Sequence, residues 1–133
     1  SKNYLVCGTG NKSEILIGYF TKHGDGACDM EPIGDLYKSE VFKLSKHLGI
    51  SKEIVEKPPR AGLWDNQTDE DEIGMSYDLL DNILYFYTEK DMKNTEIAQK
   101  LDISVDDVDM IITKIKRSEH KSKVPESPQK TIL

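Results

Sequence analysis

The sequence predicts part of an α/β fold that is mostly helical within this chain, and three observations carry that prediction. The apolar run "YLVC" at residues 4–7 is continuous instead of alternating, as in a strand buried on both faces. Most of the remaining chain has helical periodicity with recognisable start and stop residues. At best one more short strand fits, near residues 30–33, whereas a buried strand needs paired neighbours for its backbone N–H and C=O groups. The chain is therefore expected to be the C-terminal part of a larger α/β protein. It opens at Ser1 and not at methionine, as a processed or partial chain would.

In order, residues 4–8 form the strand, and "KSEILIGYF" at 12–20 forms a helix with Ile15, Leu16 and Tyr19 on one side. Residues 21–32, "TKHGDGACDMEP", are a loop rich in glycine and aspartate. A helix over 37–48 places Val41, Leu44 and Leu48 along one face and stops at Gly49. Ser51 caps a short helix that Pro58-Pro59 ends. Residues 58–74 read as a long acidic loop holding Trp64, a length typical of a functional lid or of a disordered segment. Ser76 opens a strong helix, "SYDLLDNILYFYTE", with Leu79, Leu80, Ile83, Leu84 and Tyr87 as its apolar side. Two more helices come after it, at 95–101 and 104–117. The last stretch, 118–133, is polar and proline-punctuated and is expected to be mobile unless a partner holds it.

The formal net charge of −6 argues against indiscriminate binding to nucleic acid, though it leaves room for a local cationic pocket. No apolar run is long enough to span a membrane. Cys7 and Cys28 fit no metal or redox spacing, so a reducing, cytoplasmic setting is expected.

The stretch "GTGNKSE" at residues 8–14 comes directly after the strand. It lacks the third glycine of a dinucleotide fingerprint and the spacing of a Walker A loop. It still forms a turn into a helix N-terminus, where free N–H groups and the helix dipole favour an anion. Thr9 could add a hydroxyl, and Glu14 could hold magnesium beside phosphates. The same residues also suit a plain β–α turn. In the 21–32 loop, Lys22 and Asp29 could embrace a phosphate and a polar group of one ligand, or the loop could be a solvated turn. His120-Lys121 lies in a cationic run that fits either a helix end or a phosphate clamp. A rival reading treats residues 94–121 as a helix-turn-helix with Val105, Val108, Ile112 and Ile115 packed inside. Its would-be recognition helix starts with Asp106, Asp107 and Asp109, which a phosphate backbone repels.

Taken together, "GTGNKSEILIGYFTKHGDGACDMEPIGDLYKSEV", "KPPRAGLWDNQTDEDEIGMSYDLLD" and "SEHKSKVPESP" resemble, in this order, the C-terminal half of ammonia-dependent NAD synthetases. The resemblance spans most of the chain, with residues 88–112 matching by helical character more than by wording. It implies a Rossmann-like α/β/α adenine-nucleotide-binding fold, normally a homodimer, and a cytoplasmic ligase. In that reaction ATP adenylates the nicotinate carboxylate of deamido-NAD, and ammonia then displaces AMP to leave NAD. Carried over by position, the resemblance implies that Thr9 and Lys38 contact ATP and that Glu14 binds Mg²⁺. It also implies that Lys22, Asp29, His120 and Lys121 contact deamido-NAD. Arg60 stands where the family usually has a serine or threonine that contacts ATP, so it would offer a charged contact or point away. The family's glycine-rich "SGGxDS" pyrophosphate loop occurs nowhere in the sequence, so the isolated chain is expected to be inactive. A catalytically idle interaction module is the other alternative.

Overall fold

In the computed structural model of the chain, residues 3–128 are described. The "YLVC" run lies in extended conformation beside residues 28–31 but forms only one parallel bridge, between Cys7 and Met30. Gly8 N donates to Met30 O at 2.7 Å, Asp29 N donates to Val6 O at 2.9 Å, and the Asp29 carboxylate accepts from Val6 N at 2.7 Å. The strand expected at 4–8 is thus reduced to a bridge, and its expected burial is not met: Tyr4 and Leu5 are 81% and 68% exposed. The physical reason is the one its composition announces. A continuous apolar strand is buried only between layers and between neighbours, and the described residues supply one edge contact.

The polypeptide then enters α1 (Lys12–Ile17) through Asn11. The Asn11 side chain accepts from Glu14 N at 3.1 Å while the Glu14 carboxylate accepts from Asn11 N at 3.2 Å, a reciprocal cap that fixes Glu14 at the helix start. The helix expected to reach residue 20 stops at Ile17, because Gly18 takes the left-handed conformation (φ 69°) and closes it. There is no space for more than glycine there. A Cβ at position 18 would collide with the Cβ of Ser118.

After the glycine loop come α2 (Lys38–His47) and α3 (Lys52–Val55). The apolar face expected on α2 is not a core face: none of its residues is fully buried, and Leu44 and Leu48 are exposed. Ser51 precedes α3 without making a side-chain cap. The acidic stretch 58–74, expected to be all loop, contains a fourth helix, α4 (Asp69–Ile73). Thr68 Oγ1 accepts from Asp71 N at 3.2 Å to start it, and Gly74 (φ 92°) ends it.

Helices α5 (Tyr77–Thr88), α6 (Asn94–Leu101) and α7 (Val105–Ser118) form the core. Leu80, Ile83, Leu84, Ile97, Val108 and Ile111 have no solvent exposure, each such side chain contributing about 1.5–3 kcal/mol of burial. Ile17 of α1 and Ile73 of α4 close the same cluster, so α1 and α4 are seated on the helical core with the first turn of α2 alongside. The two consecutive helices read in residues 94–121 are present and pack inward through Ile97, Val108, Ile111 and Ile112, with Ile115 partly buried, whereas Val105, expected inside, is exposed.

A 3-10 helix (Glu119–Lys121) continues α7. The start of the stretch expected to be mobile is tied down: the Lys22 ammonium donates to the carbonyls of His120 (2.6 Å) and Lys123 (2.8 Å). Lys121 in turn donates to the carbonyls of Gly18 (2.7 Å) and Phe20 (2.8 Å). Residues 129–133 of that stretch lie outside the described residues.

Candidate active site

Where α1 and α2 begin, their first turns face the 58–62 segment across a cavity of about 600 Å³. Thr9, Glu14, Lys38 and Arg60 all line it, together with Tyr19 and Asp69. At its centre the Lys38 ammonium meets Glu14 Oε1 at 2.9 Å, each side chain 17% exposed. The other Glu14 oxygen is held by the α1 cap, so the carboxylate has a fixed direction. The Lys38 Nζ also sits 5.1 Å from the centroid of the Tyr77 ring, a cation–π distance.

Below this pair lies a layer of tyrosines and carboxylates. Tyr77 donates to Asp69 Oδ2 at 3.1 Å, and Tyr19 donates to Asp69 Oδ1 at 3.1 Å and to Glu72 at 3.0 Å. Burial drives the Tyr77 phenol far above its ordinary pKa, and the negative charges of Glu14 and Asp69 push it further. Burial does the same to Tyr19, helped by its hydrogen bonds to Glu72 and Asp69. Both phenols are therefore fixed donors that hold Asp69, which is 5% exposed. Asp69 N donates to Pro59 O at 3.0 Å, and Leu63 N donates to the buried Gln67 side chain at 2.7 Å, so α4 anchors the segment carrying Arg60. Trp64, read as part of a lid, is 59% exposed and stands outside this cavity.

The four residues assigned to the nicotinate dinucleotide are not gathered into one cleft. Asp29 and Lys121 line a cleft of about 420 Å³ beside Phe20 and Glu31. Lys22 and His120 line another, of about 410 Å³, with Lys116 and Glu119. The lysine–carbonyl ties between residues 18–22 and 120–123 form the wall between them.

For Mg²⁺ the donor set of this chain is small. Among the described residues no three His, Cys, Asp or Glu side chains are grouped to hold a metal. Of the carboxylates lining the cavity, Asp69 is bonded to the two phenols and the exposed Asp25 accepts from Thr21 N. That leaves the mostly buried Glu14 for an ion that is commonly bound by one or two carboxylates with substrate phosphates completing its shell.

Tyr19, Asp69 and Lys57 also line the cavity, and local sequence patterns did not single them out. Asp69 sits in an acidic run where any one carboxylate reads as solvated, and Tyr19 reads as a core residue of α1. Only the tertiary contact of the Tyr19 hydroxyl with Asp69 and Glu72 separates these two from their neighbours.

The profile of the family described as NAD synthase matches residues 1–125. The NH3-dependent NAD(+) synthetase of Methanocaldococcus jannaschii is 51% identical over 127 residues, covering 96% of this chain and 49% of that protein. The enzyme of the same name from Thermococcus sibiricus is 50% identical over 129 residues, covering 97% of the chain and 51% of its own length. Among solved structures, the NMN synthetase of Francisella tularensis superimposes with a TM-score of 0.78 at 40% identity, over 95% of this chain and 47% of that one. The chain thus spans about half the length of the relatives it matches.

Proposed function

The chain belongs to the NAD synthase family, and from that premise we propose that it is the C-terminal part of an ATP-dependent ligase that amidates deamido-NAD to NAD. The observation that carries this reading is the Glu14–Lys38 pair, which shares one cavity with Thr9 and Arg60. A carboxylate is a poor electrophile until its oxygen becomes a good leaving group, and transfer of an adenylyl group from ATP supplies that group. The reaction joins two polyanions, so the site must neutralise charge where it accumulates. Lys38 offers a cation to the ATP phosphates, and Thr9 offers a hydroxyl from the turn before α1. Arg60, where relatives in the resemblance carry a hydroxyl residue, replaces a neutral contact with a charged one. Glu14 holds Mg²⁺, which when bound screens the phosphate charge.

Lys22, Asp29, His120 and Lys121 receive deamido-NAD along the 21–32 loop and the 120–123 segment. Their separation into two neighbouring clefts suits a long ligand that reaches past one wall. Ammonia attacks the adenylated carboxylate and AMP leaves. The remaining ATP contacts, a glycine-rich pyrophosphate loop above all, come from the part of the protein not contained in this chain. The protein works as a cytoplasmic homodimer. A nucleic-acid partner is disfavoured by the net charge of −6 and by Asp106 and Asp107, which open α7. No described helix is long and apolar enough to cross a bilayer.

The test uses the full-length protein with ATP, Mg²⁺, ammonium and deamido-NAD, monitoring NAD and AMP. Equal amounts of both products are expected. Lys38→Ala should lower kcat/KM about 100-fold, the loss typical of removing one donor aimed at developing charge. Because the Francisella relative is named for NMN, nicotinate mononucleotide is offered in parallel. If it alone is amidated, the dinucleotide assignment fails while the reaction class stands. If neither substrate yields AMP, the reading is wrong.

A further inference from the structure

We propose that Asp81, a residue outside the nucleotide cavity, is a positioning residue that sets the place of Lys38 and Glu14 for ATP. Asp81 lies on α5 and is 6% exposed. Both of its carboxylate oxygens are committed to the two helices that build the cavity. Ser13 Oγ, in the first turn of α1, donates to Asp81 Oδ1 at 2.5 Å. Ser39 N, in the first turn of α2, donates to Asp81 Oδ2 at 2.8 Å. The Ser13 hydroxyl is completely buried and accepts from Lys38 N at 2.9 Å, so the carboxylate, the hydroxyl and two backbone N–H groups make one closed network.

Two features separate this network from ordinary packing. First, α2 begins at Tyr37, whose side chain makes no cap to the helix N-terminus; its hydroxyl points instead to Glu89 at 2.7 Å. The N–H groups of Lys38 and Ser39 are satisfied from outside the helix, by Ser13 and Asp81, 25 and 42 residues away. Second, the residues held are the immediate neighbours of the two that bind charge: Ser13 precedes Glu14 and Ser39 comes after Lys38. Asp81 thereby locks the first turn of α1 to the first turn of α2. The 2.9 Å approach of Lys38 Nζ to Glu14 is the outward consequence. A displacement of about 1 Å in such a constellation can cost two orders of magnitude in rate.

The inference rests on the ligase reading, so the full-length wild-type protein is first shown to consume ATP with its nicotinate substrate; failure there sinks that reading and not this one. Asp81→Ala, Asp81→Asn and Ser13→Ala are then compared, with folding checked by circular dichroism. Asp81→Ala should raise the KM for ATP about tenfold, while the KM for the nicotinate substrate moves less than about twofold. Asn can accept from Ser39 N and donate to Ser13 Oγ, so Asp81→Asn should recover the KM for ATP to within about threefold of wild type. Ser13→Ala removes the hydroxyl that joins Asp81 to Lys38 N, leaves the bond between Asp81 and Ser39 N, and should raise the same KM about threefold; it decides the matter if Asp81→Ala does not fold. A purely structural role would lower active protein and leave both KM values alone. The proposal is overturned if folded Asp81 and Ser13 variants keep the KM for ATP within about twofold. It is also overturned if both KM values rise together, or if Asn is as impaired as Ala.

Discussion

Lys38 and Glu14 stand 24 residues apart in the chain, yet their side chains meet at 2.9 Å because each opens a helix. Opening a helix fixes a side chain's direction through the cap, and here the caps are Asn11 for one and the Ser13–Asp81 network for the other. The tyrosines beneath are equally constrained, and their titration is a direct check on the layer. Burial is the largest cause raising the pKa of Tyr19, Tyr37 and Tyr77. A group whose folded pKa exceeds its unfolded value adds stability below the unfolded pKa, about 10 for tyrosine, and loses it as pH rises towards the folded value. Thermal stability is therefore expected to be insensitive to these phenols below pH 10 and to fall above it. Absorbance at 295 nm should show Tyr19, Tyr37 and Tyr77 ionising only above the ordinary phenol range in folded protein. If all six tyrosines titrate together near pH 10 in folded protein, the buried layer is not as described. Gly18 is the other residue on which much depends. Gly18→Ala adds left-handed strain and a collision with Ser118, and should cost about 2–4 kcal/mol, seen as a lower urea midpoint with an unchanged slope.

The elements differ in how openly the sequence declares them. Helix α5 is announced by Ser76 and by apolar residues at helical spacing, and α6 and α7 obey the same logic, so all three were legible within a residue or two. Helix α4 was not. It has five residues, four of them acidic, and one buried apolar side chain, Ile73, so neither periodicity nor hydrophobicity marks it. The hold on α4 is tertiary. Lys114 on α7 donates to the carbonyls of Glu72 (3.0 Å) and Ile73 (2.7 Å), capping its C-terminus from outside. Burial lowers the pKa of that ammonium, so its packing is not that of a solvated lysine. Lys114→Met keeps the aliphatic stem and removes the donors. It should loosen α4 and the 58–68 segment, raising proteolysis there at least severalfold while global stability falls by only about 1–2 kcal/mol. Unchanged cleavage in that segment would show that α4 does not depend on this cap. The site divides in the same way. Thr9, Glu14, Lys38 and Arg60 could be named from several matching stretches taken together, because each sits beside a helix start or a proline turn. Asp69, Tyr19 and Asp81 could not, since each takes its role from side-chain contacts that include partners 42 to 68 residues away.

At the scale of the whole molecule, the run that first suggested an α/β fold is also the run that the described residues leave uncovered. Tyr4, Leu5 and Val6 are all more than half exposed, and one bridge to Met30 is their sheet pairing. An extended apolar edge with unpaired N–H and C=O groups is a template for further strands. The curated relatives, twice as long, have the chain length to provide them. The cavity shows the same one-sidedness. Glu14 is the carboxylate proposed for the metal, Asp69 beside it being bonded to the phenols, and the sequence contains no "SGGxDS" loop to cradle the ATP phosphates. From both facts the isolated 133-residue chain is expected to form no measurable NAD from ATP, ammonium and deamido-NAD, under conditions where the full-length protein turns over. The two facts also predict how activity is restored. Co-expression with the remaining part of the protein as a separate polypeptide should bury the 4–7 edge and complete the phosphate site. NAD formation should then return together with protection of the Leu5 and Cys7 amides, which face away from Met30, from hydrogen exchange. Turnover by the isolated chain, or protection regained without turnover, would show that the edge and the nucleotide site are not completed by the same partner segment.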